Sequence, residues 1–121
     1  MSDLAAFTLA WRDGTCIVTI RGEIDLSNAG EFAAALRDAA DAAKGLVVDL
    51  SEVSYIDSSG IAALFDLAEK WTDASRLRVV VPESSPAHRV LTIARLNRTM
   101  ALDTDLAGAI AELEPGLGTS A

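Results

Sequence analysis

Two short apolar runs, Leu46-Val47-Val48-Asp49-Leu50 and Leu77-Arg78-Val79-Val80-Val81, place the tightest limit on what this chain can fold into. Each is too short for a helix and rich in valine. Each is nearly continuous in apolar residues, as an inner strand of a sheet covered on both faces requires. Other segments follow a different period. Phe32, Ala35, Leu36, Ala39 and Ala43 recur at helical spacing, and so do Ile61, Leu64, Phe65, Ala68 and Trp71. Inner strands alternating with amphipathic helices predict parallel pairing through crossover connections.

The remaining elements extend this pattern. Residues 7–12 (FTLAWR) and 16–20 (CIVTI) flank Asp13-Gly14, a turn signal, so they are expected to form a hairpin that adds an antiparallel edge. Asn28 and Glu31 have capping-box spacing ahead of the first helix, and Gly45 is its expected stop. The second helix is expected to begin near Ser58. Pro82 closes the strand that precedes a third helix, in which Pro86 suits the first turn and Val90, Ile93 and Ala94 are expected to point inward. Met100–Leu102 reads as a short edge strand. Leu106, Ile110 and Leu113 mark a last helix, expected to end at Pro115-Gly116. The expected architecture is a single α/β domain over residues 1–121, an N-terminal β-hairpin followed by alternating helices and strands. The sheet is mixed and largely parallel, packed with about four helices. The core is expected to span residues 7–113, with 114–121 a frayed tail.

Composition narrows the function classes. The chain has 121 residues, half of them hydrophobic, and a formal net charge of −8 from 18 acidic and 10 basic residues. That balance disfavours binding to DNA or RNA, whose phosphates select Lys/Arg surfaces. Cys16 is the one cysteine, so an intrachain disulfide is impossible, and its apolar setting reads as a buried structural thiol. No stretch has the length and hydropathy of a membrane span, and the first residues, MSDLAAF, lack a basic leader. A cytoplasmic protein without direct membrane insertion is the expectation.

Parallel strands end at a common sheet edge, where open α/β sheets place their ligands. Three loops are expected there: Glu23–Asn28, Tyr55–Gly60 and Pro82–Pro86. They are rich in acids and hydroxyls. Asp57-Ser58-Ser59-Gly60 admits three readings. A serine or aspartate there can cap the helix by accepting bonds from its orphan amides. A serine nucleophile would need glycines on both sides for a sharp turn, but Ile56 or Asp57 stands at the first glycine position. The single histidine, His88, falls on a different expected helix. No phosphate-binding Gly-x-x-x-x-Gly-Lys run and no Cys/His cluster for zinc is present, and Asp25, Asp49 and Asp57 are explained as strand and cap carboxylates as readily as by magnesium. No catalytic residue, metal or cofactor is therefore assigned. The third reading is a phosphorylation switch, which adds nearly two charges at a helix start.

Gly22-Glu23-Ile24-Asp25, followed by a helix and then by Asp49-Leu50-Ser51-Glu52-Val53-Ser54-Tyr55-Ile56-Asp57-Ser58-Ser59-Gly60-Ile61, resembles the STAS domain of bacterial anti-sigma factor antagonists. Ser85-Pro86 and the helix carrying Val90 and Leu91 extend the resemblance, which covers roughly residues 7 to 113. The resemblance implies a binding module of transcription regulation rather than an enzyme. Its partner would be an anti-sigma factor with serine kinase activity, captured by the unphosphorylated protein to free a sigma factor in a stress response. Phosphorylation of the serine after the motif aspartate would release it, and a phosphoserine phosphatase would reset the cycle. By position that serine is Ser58, with Ser59 the second choice. Glu23, Asp25, Ser27, Asn28, Asp57, Ser59, Gly60 and Ile61 would form the partner surface. Two places depart from the family. Asp73-Ala74-Ser75-Arg76 replaces a frequent Gly-Gly pair, and Arg95-Leu96 stands where Gly-Leu is common. The alternative is a STAS accessory subunit of a membrane transporter or lipid-transport ATPase, against which the retained Ser58 and Ser59 argue.

Overall fold

A computed structural model of the protein describes residues 5–70, 76–98 and 100–118, with the side chains of Lys70, Asn97 and residues 114–118 outside the description. Five strands form one sheet in sequence order: β1 (Ala5–Arg12), β2 (Thr15–Ile24), β3 (Gly45–Ile56), β4 (Leu77–Val80) and β5 (Ala101–Asp103). β1 and β2 pair antiparallel across the turn at Asp13 and Gly14, both of which adopt positive φ. Every other pair is parallel. The helices α1 (Ala29–Ala42), α2 (Ser58–Lys70), α3 (Pro86–Ile93) and α4 (Leu106–Gly118) connect or follow the strands, with a 3-10 turn at Leu96–Arg98.

The two sheet faces are covered unequally. Cys16, Val18 and Ile20 of β2 and Leu46, Val48 and Leu50 of β3 meet α1, α2 and α3 in the main core. The alternate residues Ile17, Val47 and Val80 meet Ala109 and Leu113 of α4 in a smaller one. Period-two alternation thus divides the inner strands between two cores, and both sets of side chains are apolar because neither face is wet. Phe7 stacks on Phe32 at a centroid distance of 6.3 Å, fixing the hairpin to α1. Across β4 and β5, the Arg78 guanidinium donates to both carboxylate oxygens of Asp103 at 2.6 and 3.1 Å, which answers a charge in an otherwise apolar strand.

Several expected details differ. β3 runs to Ile56 rather than stopping at Leu50, because residues 52–56 continue to pair with β2 after β4 has ended. On α2 the buried stripe is Ala63, Leu64 and Leu67, with Ile61, Phe65 and Ala68 half-buried on its flank, and Trp71 lies outside the described residues. On α3 the inward residues are Ala87 and Leu91. Ile93, expected inside, is 71% exposed, since it follows Leu91 by two positions and so faces away from it. α4 continues through Pro115 and Gly116 to Gly118, past its expected end. Residues 119–121 of the expected tail lie outside the described residues.

Candidate functional site

The carboxyl ends of β2 and β3 each open into a helix through an Asp-x-Ser turn. In the turn before α2, Asp57 Oδ1 accepts the Ser59 N–H at 2.9 Å, the Ser59 hydroxyl at 2.5 Å and the Gly60 N–H at 3.4 Å. The helix cap is therefore the aspartate. The Ser59 hydroxyl, above all, holds the Asp57 carboxyl below the usual carboxylate range. The backbone N–H groups of Ser59, Gly60 and Leu26 add to the effect, and burial opposes it in part. The turn before α1 repeats the motif: Asp25 Oδ1 accepts the Ser27 N–H at 2.9 Å and the Ser27 hydroxyl at 2.5 Å. The Asp57 N–H donates to the Ile24 carbonyl at 3.1 Å, so backbone joins the two turns.

Two residues support these turns from beneath. Asn28 is 2% exposed. Its Oδ1 accepts the Asp25 N–H and its Nδ2 donates to the Glu23 carbonyl, both at 2.9 Å. Asn28 stands at the N-cap position of α1, but its side chain makes no capping bond. The capping-box reading is corrected accordingly: partly buried loop backbone needs partners, and the amide supplies two of them. Gly60 answers a steric need. A Cβ on it would lie 2.7 Å from Ile56 Cγ1 and 2.8 Å from Ile24 Cγ2, so only glycine lets α2 rest on the ends of both strands.

The remaining expected residues sort by exposure. Glu23, Ser27 and Ser58 are exposed, while Asp25, Asp57, Ser59 and Ile61 are half-buried. The Ser58 hydroxyl makes no hydrogen bond among the described residues, whereas that of Ser59 is committed to Asp57. Two side chains outside the expected set stand at the same edge. Leu26 is 82% exposed in the middle of the first turn, and exposed Tyr55 pairs with Glu23 across β3 and β2. The signal for both was a large apolar or aromatic residue inside an acidic, hydroxyl-rich loop. The third loop sits lower. Pro82, Ser84 and Pro86 share a shallow groove with Ser51, Val53 and Ser54, because β3 extends past β4 before reaching Asp57.

Elsewhere, Cys16 is buried, which pushes its thiol pKa up, and His88 is half-buried on α3. Asp49 accepts the Ser51 N–H at 3.0 Å. Among the described residues no group of three or more His, Cys, Asp or Glu side chains is arranged to hold a metal ion, and no helix is long and apolar enough to cross a membrane.

Residues 7–107, which include both turns, match the family described as Mlab, STAS domain. The chain belongs to the STAS family. The domain is 30% identical over 115 residues to the anti-sigma-F factor antagonist RsfB of Mycobacterium tuberculosis, covering 94% of this chain and 93% of RsfB. The crystal structure of an anti-sigma factor antagonist from Mycobacterium paratuberculosis superposes on this STAS domain with a TM-score of 0.83 at 27% identity, over 91% and 94% of the two chains. The Bacillus cell-fate determinant SpoIIAA in its phosphorylated form gives a TM-score of 0.63 at 21% identity, over 89% and 99%, a likeness of fold.

Proposed function

We propose that this STAS domain is an anti-sigma factor antagonist that acts by binding, with Ser58 as its switch. It captures an anti-sigma factor with serine kinase activity while Ser58 is unmodified. The kinase transfers the terminal phosphoryl group of ATP to Ser58 Oγ and the complex separates. A phosphoserine phosphatase restores the binding state. Likeness to RsfB and to the Mycobacterium paratuberculosis antagonist over nearly the whole chain supports the partner class. One observation carries the assignment of the serine: of two adjacent hydroxyls, that of Ser58 is exposed and unbonded among the described residues, and that of Ser59 is engaged by Asp57.

The same geometry explains how a phosphate would act. A helix start ordinarily welcomes an anion on its free amides. Here the Ser59 and Gly60 amides already point at the Asp57 carboxylate. A phosphate on Ser58, carrying about −1.5 to −2 charges, would find those donors occupied and stand out from the edge beside Asp57 and Asp25. Partner binding across Leu26, Tyr55 and Ile61 would then meet both bulk and like charge, while the fold stays intact.

Calorimetric titration against the anti-sigma factor of the same organism tests this reading, using unmodified protein, Ser58→Ala and protein carrying phosphoserine at position 58. The first two are expected to bind alike, and the third at least about tenfold more weakly, a difference of about 1.4 kcal/mol. Equal affinity for all three rules out the switch. Mapping phosphate after incubation with the kinase and ATP tests the site: Ser58→Ala should lose it and Ser59→Ala keep it.

A further inference from the structure

The charge of this chain is unevenly placed. Between Glu83 and Asp103 there is no acidic residue, yet this stretch holds Arg89, Arg95 and Arg98, three of the chain's 10 basic residues. All three are exposed, and among the described residues none of their guanidinium groups has a carboxylate partner. Arg89 and Ile93 lie one turn apart on the outward face of α3, so the exposed isoleucine stands beside an exposed arginine, and Arg95 and Arg98 follow at the end of the same helix and in the 3-10 turn. Arg95 closes the helix with φ of 62°, the left-handed conformation in which glycine is the favoured residue. The Arg95 backbone serves the fold, since its N–H donates to the Thr92 carbonyl and its carbonyl accepts the Arg98 N–H, but that turn would suit glycine better, and the arginine side chain has no charge partner among the described residues.

The geometry points to a second docking surface, formed by the outer face of α3 and the following 3-10 turn, for an acidic segment of a protein partner that brings an apolar side chain to Ile93. Guanidinium groups suit carboxylates through paired donors. The single exposed apolar side chain favours a peptide over the other anions. An interfacial membrane helix needs a broad apolar face, which one isoleucine does not provide. An extended polyanion such as DNA or RNA would also meet the acidic remainder of a chain whose net charge is −8. The surface is separate from Ser58. α3 starts beside the groove at Ser51 and Ser54 and runs back toward the start of β5, so Arg95 and Arg98 sit at the opposite end of the sheet from the Asp-x-Ser turns.

Amide chemical-shift mapping on the full chain tests this, with a short peptide of glutamates around a single leucine as the probe. Shifts are expected to cluster within residues 88–98, and the same peptide with glutamine in place of glutamate should leave them unmoved. R89Q/R95Q/R98Q should weaken binding about tenfold, and Ile93→Ser about threefold, without loss of folding. Arg95→Gly is the sharper variant. It should raise the melting temperature by roughly 2–6 °C by relieving the left-handed strain, and still weaken the peptide about threefold. Protein with phosphoserine at position 58 should bind the peptide as the unmodified protein does, which separates this surface from the switch. Shifts that are absent or lie elsewhere, affinity unchanged in the arginine variants, or tighter binding at this face by oligothymidylate or phosphatidylglycerol vesicles would overturn the proposal.

Discussion

The turn before α1 and the turn before α2 are nearly the same object. Each opens with an aspartate whose Oδ1 takes the N–H and the hydroxyl of the serine two residues on, at 2.9 and 2.5 Å in both. Each aspartate carbonyl then accepts the amide four residues on, from Ala29 in one and Ile61 in the other. They differ at two positions. The middle residue, whose side chain no turn bond among the described residues uses, is Leu26 in one and Ser58 in the other. The fourth residue is buried Asn28 in one and buried Gly60 in the other. One local solution therefore holds out an apolar side chain and a free hydroxyl side by side. The first suits an anchor for a partner, and the second is a group that chemistry can change. The fourth residues show how each turn is fixed: Asn28 by hydrogen bonds to the loop, Gly60 by the absence of a side chain.

The largest effects are expected at those fourth positions. Gly60→Val forces a branched side chain into Ile24 and Ile56 and should cost roughly 3 kcal/mol, at the upper end of overpacking. Chemical denaturation measures this. Gly30→Ala is the counterpart in α1, where a Cβ meets nothing within 4 Å, and it should stabilise by up to about 1 kcal/mol. Asn28→Ala leaves the Asp25 N–H and the Glu23 carbonyl without their partner and should cost about 2 kcal/mol. Partner affinity should fall with it among the molecules that remain folded. A stable Asn28→Ala protein with normal affinity would show that the first turn does not need its buried amide.

Element order was legible in the sequence because it rests on period. The apolar runs at 46–50 and 77–81 and the helical stripes place strands and helices correctly, and Asp13-Gly14 marks the hairpin. What the residues concealed depends on register and neighbours. Ser51–Ile56 mixes apolar and polar residues and does not read as strand, since its pairing partner is β2, far away in sequence. Asn28 has capping spacing, and only the folded loop reveals two backbone groups that bid more strongly for its amide. Ile93 satisfies a helical stripe as well as Leu91 does, and only the docking of α3 on β3 decides which faces the core. At the candidate site the resemblance singled out Asp25, Asp57 and the serine pair. It did not separate a capping aspartate from a free serine, nor draw attention to Leu26 and Tyr55.

The cap at Asp57 can be tested by pH. Asp57 is held below the ordinary carboxylate value by its hydrogen bonds, so folding favours its charged form. The stability this confers is present in full above about pH 5. It is lost progressively below about pH 4, as the pH falls through the depressed folded-state value. Asp57→Asn keeps an oxygen acceptor and discards the charge. The wild type should therefore exceed this variant in stability at pH 7, and the gap should close on acidification to pH 3. Denaturation curves at the two values decide, and a gap that widens in acid would invert the assigned sign. Asp57→Ala removes the cap altogether and should cost about 1 kcal/mol at pH 7.

The smallest effects on stability are expected at the two middle positions, where the turns differ most in what they offer a partner. Ser58→Ala removes a hydroxyl that bonds nothing among the described residues, and the cap stays with Asp57. Leu26→Ala removes a side chain that is already in water. Both should stay within about 0.5 kcal/mol of wild type. Ser59→Ala, one residue on, breaks the hydroxyl bond to Asp57 and should cost about 1 kcal/mol. The ranking turns on one question, whether the middle residue of each turn is kept for the fold or for the partner. Melting curves of the three variants, beside titrations against the anti-sigma factor, answer it. Leu26→Ala should lose affinity at unchanged stability, and Ser58→Ala should bind normally but no longer respond to the kinase. A Ser58→Ala protein destabilised as much as Ser59→Ala would mean that Ser58 shares the cap. The exposed hydroxyl would then belong to the helix, and the two turns would differ only in the side chain they happen to display.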